Sequence, residues 1–456
     1  MCVPSEGAGE AWLFGNAIAR IPLNTEDLDR MAPSEPTAAP ESRPKLGCQA
    51  EGKVRRMPVK IARTRPLRIF FLLDSLDLGG TETQAVELAR RLDPRRYEVT
   101  LGCLRASGPL RQRLEPGPVR IAEFHPRGGI DSAGGIYQLL RLAAFLRRGG
   151  FAVVHTHDLW SNLLGILAAR LARVPVIISS CRDLSHTDWY TPWRRRILRR
   201  IQRSWSMVLA NSSAIRDDLV ARDGFTADEV RVIRNAVDME RFAVAGDRQR
   251  LLSEAGGGKL VVQLGNMVSD VKGHAYLIEA APAVIARFPQ TRFVLIGDGP
   301  LRLDFERRIQ ELKLTENFIF LGRRSDVPEL LASCDLAILP SLAEGLPNAV
   351  LEYLAAGLPT IVTRVGGNVE ILEEGRTGLL IPPRDPEALA KALLRLLENP
   401  RLAQALGQAG QEHVRANFSF ARLTDETAKL YGELLESKAG GGDDRKLSQV
   451  IAAGLE

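Results

Sequence analysis

The sequence predicts an α/β protein built from two doubly wound, Rossmann-like parallel-sheet domains that face each other across a cleft. Three observations carry this. Short apolar runs rich in β-branched residues alternate with amphipathic helical stretches, as parallel sheets covered on both faces require. The runs fall into two series with a break near residues 240–258, where the strand pattern is lost. The chain is 456 residues long, and a single core stops growing at roughly 250–300 residues.

The first series runs through "RIFFLLD" (68–74), "EVTLGCL" (98–104), "FAVVHTH" (151–157), "VPVIISS" (174–180), "SMVLANS" (206–212) and "VRVIRN" (230–235). The second runs through "KLVVQLGN" (259–266), "RFVLIGDG" (292–299), "FIFLG" (318–322), "LAILPS" (336–341) and "PTIVTRV" (359–365). Domains are therefore expected over 67–240 and 241–415. Residues 1–66 are proline-rich and lack apolar periodicity, so they are expected to be a disordered extension. The ordered pattern follows Met57 closely, and translation is expected to start there. Residues 437–456, with "AGGGDDRK", are expected to be a mobile tail.

Composition bounds the function classes. Hydrophobic residues make up 45% and charged residues 25% of the chain, which is globular and neither fibrous nor disordered. The five cysteines are scattered without a CxxC pair, which argues against a disulfide framework or a zinc site and fits a cytoplasmic protein. The longest apolar runs fall short of the ~20 residues that span a bilayer. The net charge of +6 suits an anionic partner: nucleic acid, an acidic membrane surface or a phosphorylated substrate.

In doubly wound sheets ligands bind beyond the carboxyl ends of the strands, so the chemistry is sought there. After the first strand, Gly79 and Gly80 precede a helix start and let backbone amides approach a phosphate; a bare tight turn is the alternative. In "HTH", His155 and His157 share one face of a strand. His155 reads as structural, and His157, nearer the strand end, as a donor to a substrate hydroxyl or phosphate. In "LGNMVSDVKGH", Gly265 and Asn266 follow a strand, and Lys272 stands beside Gly273 ahead of a helix, where a lysine can neutralise a diphosphate. An exposed lysine is the plainer reading.

The segment "PSLAEGLPNAVLEYLAAGLP" (340–359) is the most informative. Pro347 and Gly357 bracket a helix expected over Leu346–Ala356, with Glu344 in the loop before it and Glu352 one and a half turns in. Both carboxylates are expected to face one ligand at the helix start. Paired carboxylates also suit a hydrolase, at about 5–10 Å separation. The loop amides of Gly345, Leu346 and Asn348 beside them instead suit a ligand carrying both phosphate and hydroxyls, such as a sugar nucleotide. Further on, Gly366 and Gly367 form a second close-approach loop, and Glu370 reads as a cap of its own helix.

These segments together resemble the retaining GT-B glycosyltransferases of the family-four type, over roughly residues 67–436. The resemblance rests on "LGG-TE" (78–82), "HTH" (155–157), "RNAVD" (234–238), "KG" (272–273), "GDGP" (297–300), the 340–359 segment and "GGNVEIL" (366–372). It implies a transferase moving sugar from a UDP- or GDP-sugar to a glycan or lipid-linked acceptor in cell-envelope or exopolysaccharide synthesis. It further implies no cofactor and no catalytic metal. By the same resemblance Glu344 and His157 act at the donor sugar, Glu352 holds the ribose, Lys272 the diphosphate and Gly80 a phosphate across the cleft. The closing helix, 416–436, returns to the first domain. Asn266 departs from the arginine usual in the family, with Arg323 or Arg324 as candidates to compensate. A sugar-nucleotide epimerase of the same fold and a non-catalytic sugar-nucleotide binder stay open as alternatives.

In "CRDLSHTDWYTPWRRRILRRIQRSW" (181–205) six arginines crowd a helix edged by tryptophans. Trp193, Arg195 and Arg199 are expected at the acceptor or at an anionic bilayer, which would make the protein peripheral at the inner face of the cytoplasmic membrane. A solvated helix face is the alternative. Nucleic acid is disfavoured as a partner, because the cations sit on one short helix without a recognised binding module.

Overall fold

The computed structural model describes residues 65–125, 132–184, 192–205, 207–249, 251 and 258–440. The expectations for the N-terminal extension, for a start at Met57 and for the tail beyond residue 440 lie outside the described residues. Ala62–Glu456 is one compact unit.

Among the described residues the chain forms two all-parallel sheets. The first holds β1 (Leu67–Ser75), β2 (Tyr97–Arg105), β3 (Arg120–Glu123), β4 (Val153–Thr156), β5 (Val176–Cys181), β6 (Met207–Ala210) and β7 (Val230–Val232), in the order β3-β2-β1-β4-β5-β6-β7. The second holds β8 (Leu260–Leu264), β9 (Arg292–Ile296), β10 (Phe318–Gly322), β11 (Leu336–Leu339), β12 (Thr360–Thr363) and β13 (Leu379–Ile381), in the order β10-β9-β8-β11-β12-β13. This is the two-domain GT-B architecture. Two strands escaped the sequence reading. Edge strand β3 is half exposed, so its pattern is not apolar, and β13 has only three residues.

Each sheet is covered on both faces, and strand alternation sorts its side chains between the two covers. Ile69 and Phe71 of β1 join one core cluster while Phe70 and Leu72 join the other. Val261 of β8 joins one cluster, and Leu260 and Val262 join the opposite one. Burying one such side chain contributes about 1.5–3 kcal/mol, which explains why the strands read as continuous apolar runs. The last helix, Phe420–Gly440, leaves the second sheet and packs on the first: Phe420, Leu423, Leu430, Tyr431 and Leu435 all belong to a first-sheet cluster.

The strand orders locate the clefts. In the first sheet the winding reverses between β1 and β4, and in the second between β8 and β11. A reversal leaves a crevice at the carboxyl ends of the two central strands, because their connections depart in opposite directions. Gly80 follows β1, His157 follows β4, Lys272 follows β8 and Glu344 follows β11.

Candidate active site

The loops after β8 and β11 bring Lys272 and Glu344 together. Lys272 closes a short 3-10 turn, Asp270–Lys272, and the next residue, Gly273, has φ +72°. A Cβ at Gly273 would lie 1.9 Å from the Pro340 carbonyl oxygen, so only glycine lets the lysine loop seat against the β11 loop. Lys272 Nζ then donates to both Glu344 oxygens, at 2.8 and 2.9 Å, and Ser341 Oγ donates to Glu344 Oε1 at 2.6 Å. The glutamate side chain is 6% exposed and the lysine 27%. Gly366 supports the same loop from behind: at φ +48° its missing Cβ would lie 1.8 Å from the Glu344 carbonyl oxygen.

A cavity of about 240 Å³ opens over this pair. Lys272, Glu344, Gly345, Leu346 and Asn348 wall one side; Gly80, Arg182, Asn211 and Asn235 wall the other. The helix after the loop is Asn348–Ala355, with Pro347 at its N-cap, so it begins two residues later than expected. Proline leads into the helix here rather than sitting in its first turn, because its ψ of 122° is extended.

Asn348 joins the two walls. Its Nδ2 donates to the Gly80 carbonyl at 3.0 Å, and its Oδ1 accepts from Asn235 at 2.9 Å and Gln84 at 3.2 Å. Asn235 also donates to the Leu346 carbonyl at 2.8 Å and accepts from Arg182 Nη1 at 2.8 Å. Arg182, Asn235 and Gln84 escaped the sequence reading as site residues. Arg182 carried a signal, since a charged residue directly after the buried strand β5 stands where ligands bind.

Glu352 is not brought to this cavity. It lines a smaller one, about 40 Å³, with Glu87, Arg113, Asp238, Arg241 and Phe420. The eight-residue offset from Glu344 includes the loop and the helix start, so the two carboxylates leave on different sides, and among the described residues only Asn348 borders both cavities. Burial pushes the Glu352 carboxyl up to about 7, against the opposing pull of Arg241 and Arg113.

His157 lies beneath the site and does not line the cavity. It is 2% exposed, stacks on His155 with ring centroids 4.2 Å apart, and neither ring nitrogen has a hydrogen-bond partner among the described residues. Burial holds it well below the usual imidazole range, so it is neutral. His155 is held structurally: Nδ1 bonds the Tyr431 hydroxyl and Nε2 the Ser180 hydroxyl, each at 2.9 Å, and burial lowers it to about 3.

Three acids, none of which lines the cavity, lie behind the wall opposite Lys272. Asp74 accepts from the Ser161 and Trp160 amides at 2.7 and 3.4 Å, yet burial raises it to about 6. Asp158 is raised well above the usual carboxylate range by burial and by Asp74, and Glu82 is raised by burial. Burial lowers the Arg182 guanidinium to about 10, with Asp158 and Glu82 opposing the shift. Gly79 caps the helix Gly80–Arg91, and the Glu82 carboxylate folds over it, within 2.0 Å of where a Cβ would stand. An acid thus covers part of the expected phosphate turn.

Three further expectations are corrected by position. Asn266 is exposed and lines neither cavity. Arg323 and Arg324 also stay outside both, and Arg324 is paired with Asp326. On the helix Pro192–Trp205, Arg195 and Arg199 point inward: Arg195 bonds Asp223 at 2.8 and 3.1 Å, and Arg199 bonds it at 2.7 Å and is 5% exposed. Trp193 is exposed, with Arg196, Ile197 and Arg200 nearby. The described residues contain no helix long and apolar enough to cross a membrane.

The comparisons with known proteins agree with this geometry. Residues 78–241 match the family described as Glycosyltransferase Family 4, and residues 258–399 match the family described as Glycosyl transferases group 1. The protein is a glycosyltransferase, and the two matches fall one on each sheet. A curated relative is the Escherichia coli UDP-Gal:alpha-D-GlcNAc-diphosphoundecaprenol alpha-1,3-galactosyltransferase, 27% identical over 79% of this chain and 95% of its own. Another is the alpha-D-kanosaminyltransferase of Streptomyces kanamyceticus, 29% identical over 70% of this chain and 87% of its own. Among solved structures, Anabaena HepE in complex with UDP and glucose superposes with a TM-score of 0.73 at 22% identity, covering 80% of this chain and all of its own.

Proposed function

We propose that the protein moves a sugar, with retention of anomeric configuration, from a UDP- or GDP-sugar to a hydroxyl of a glycan or lipid-linked acceptor in cell-envelope or exopolysaccharide synthesis. The observation that carries the reading is the Lys272–Glu344 pair on one wall of a 240 Å³ cavity with Arg182 on the other. Two cations on opposite walls suit a diphosphate, and a buried carboxylate beside it suits sugar hydroxyls.

The chemistry then follows from placement. Lys272 and the N-terminus of the helix Asn348–Ala355 meet the charge that develops on the departing nucleoside diphosphate. Glu344, fixed by Ser341 and Lys272, accepts from a donor-sugar hydroxyl near the reacting carbon. The acceptor hydroxyl attacks from the face the leaving phosphate vacates, its proton passing to that phosphate oxygen, so retention needs no dedicated protein base. No divalent metal is required in this reading, because Lys272 and Arg182 supply the positive charge. The acceptor approaches along the first domain, and a lipid-linked acceptor would bring that domain to the cytoplasmic face of the membrane. The relative that acts on a diphosphoundecaprenol substrate supports that choice.

The test is incubation with a panel of sugar nucleotides, with and without lipid-phosphate acceptors. Acceptor-dependent release of nucleoside diphosphate, with an axial or equatorial product bond matching the donor by NMR, supports the reading. Inversion at C2 of the sugar nucleotide without transfer would make the protein an epimerase, and binding without turnover a sugar-nucleotide binder.

A further inference from the structure

Glu370 is not a cap of its own helix. It sits in the short turn Asn368–Ile371 of the second domain, directly after Gly366–Gly367. Its carboxylate reaches across to the first domain, where Oε1 accepts from the Ser213 amide at 2.6 Å and the Ala214 amide at 3.2 Å. Oε2 accepts from Arg234 at 2.8 and 3.1 Å and from the Ser213 hydroxyl at 3.4 Å. The glutamate side chain is 12% exposed.

Ser213 and Ala214 open the eleven-residue helix Ser213–Asp223, and Ser212 takes its next amide, that of Ile215, at 3.2 Å. Glu370 and Ser212 therefore divide the first-turn donors between the two domains. The anion that the helix start favours is supplied by the opposite domain.

The other end of the same segment supports the donor loop. Gly367 N donates to the Gly345 carbonyl at 2.8 Å, and Gly366 lies against the Glu344 carbonyl too closely for any side chain. Gly345 in turn faces the first domain: a Cβ on it would lie 2.2 Å from the Arg182 carbonyl oxygen and 2.9 Å from Ile215 Cδ1. Residues 344–345 are thus enclosed between the diglycine behind them and the Arg182 and Ile215 wall in front. Glu370 ties the outer end of that diglycine segment to the helix that carries Ile215.

We propose that Glu370 is a positioning residue that docks the Glu344–Gly345 loop against the first domain and so sets the distance between the Lys272–Glu344 pair and Arg182. This rests on the transferase reading of that cavity. Glu370 touches no reacting atom. It acts through the diglycine loop, where a shift of about 1 Å at the reacting centre can lower the rate about 100-fold.

Two variants test it. Glu370→Ala removes the whole contact. Ser213→Pro removes the first amide and the hydroxyl while leaving the helix intact, since proline suits the first helical position and Ser212 is already extended, at φ −151° and ψ 158°. Both are expected to lower kcat, by about 100-fold for Glu370→Ala and about 10-fold for Ser213→Pro, with the Kd for UDP or GDP within about 3-fold of wild type. Glu370→Gln, which keeps one acceptor oxygen, should recover part of kcat. Small-angle scattering of the nucleotide-free protein should show a larger radius of gyration for Glu370→Ala and Ser213→Pro than for wild type. Unchanged kcat in both variants overturns the proposal, as does a nucleotide Kd that weakens in step with kcat. The scattering comparison needs no substrate, so an expanded Glu370→Ala protein beside a chain that transfers no sugar would show the docking to be real and the transferase reading to be at fault.

Discussion

The two walls of the cavity treat charge in opposite ways. On the second-domain wall Lys272 and Glu344 are paired at 2.8–2.9 Å, with Ser341 as a third partner. Behind the first-domain wall Asp74, Asp158 and Glu82 are half-buried, all three carboxyls are raised, and Asp158 and Glu82 act on the guanidinium of Arg182. Asp158 Oδ2 and Arg182 Nε have no hydrogen-bond partner among the described residues. A paired wall is built for one fixed arrangement of phosphate and sugar. A side with unsatisfied buried donors and acceptors gains most from a polar ligand that satisfies them.

The comparison can be broken most directly at Glu344. Glu344→Ala should lower kcat/KM for transfer by about 1000-fold or more, and a variant with wild-type turnover would remove the paired wall from the chemistry. Next comes a control on the first domain's cationic helix. Arg199→Ala breaks a buried pair with Asp223 and should destabilise the fold by about 3–5 kcal/mol in denaturant titrations. Arg196→Ala, at an exposed position, should stay within about 0.5 kcal/mol; loss of flotation with acidic liposomes in that variant alone would locate membrane contact on the outer face of the helix.

Lys272→Ala should raise the donor KM by about 10–100-fold, since a hydrogen bond to a charged group is worth about 1.5–3 kcal/mol. Isothermal titration with UDP and GDP checks whether the loss lies in diphosphate binding. The smallest expected effect is at Glu352. Its folded pKa of about 7 exceeds the ordinary glutamate value of 4.5, so between those values the folded state binds more protons than the unfolded one. Its contribution to stability falls as pH rises through that window. Glu352→Gln should therefore melt higher than wild type at pH 8 and show little difference at pH 4, and a constant offset between the two melting curves would show that Glu352 is not buried in solution.

Much of the site was legible because it sits in local patterns. Lys272 beside Gly273, Glu344 in its loop and the diglycine at 366–367 each stand at the end of a strand that the apolar runs reveal. The exact helix start was less legible, because Pro347 suits both the first helical position and the cap. The fate of the cations on Pro192–Trp205 was illegible for a different reason. Arg195 and Arg199 read as one basic face with Arg196 and Arg200, and nothing near them in sequence announces Asp223.

What the sequence by itself determined is the sheet architecture and which loops carry the chemistry, since alternation, glycine placement and strand ends are set by neighbours along the chain. Only the tertiary structure decided which side chains share a cavity. Glu344 meets Lys272 while Glu352 turns away, His157 is sealed beneath the site, and Glu370 crosses to the other domain. Those outcomes depend on how strands, loops and the two sheets pack in space, and no local spacing encodes that packing.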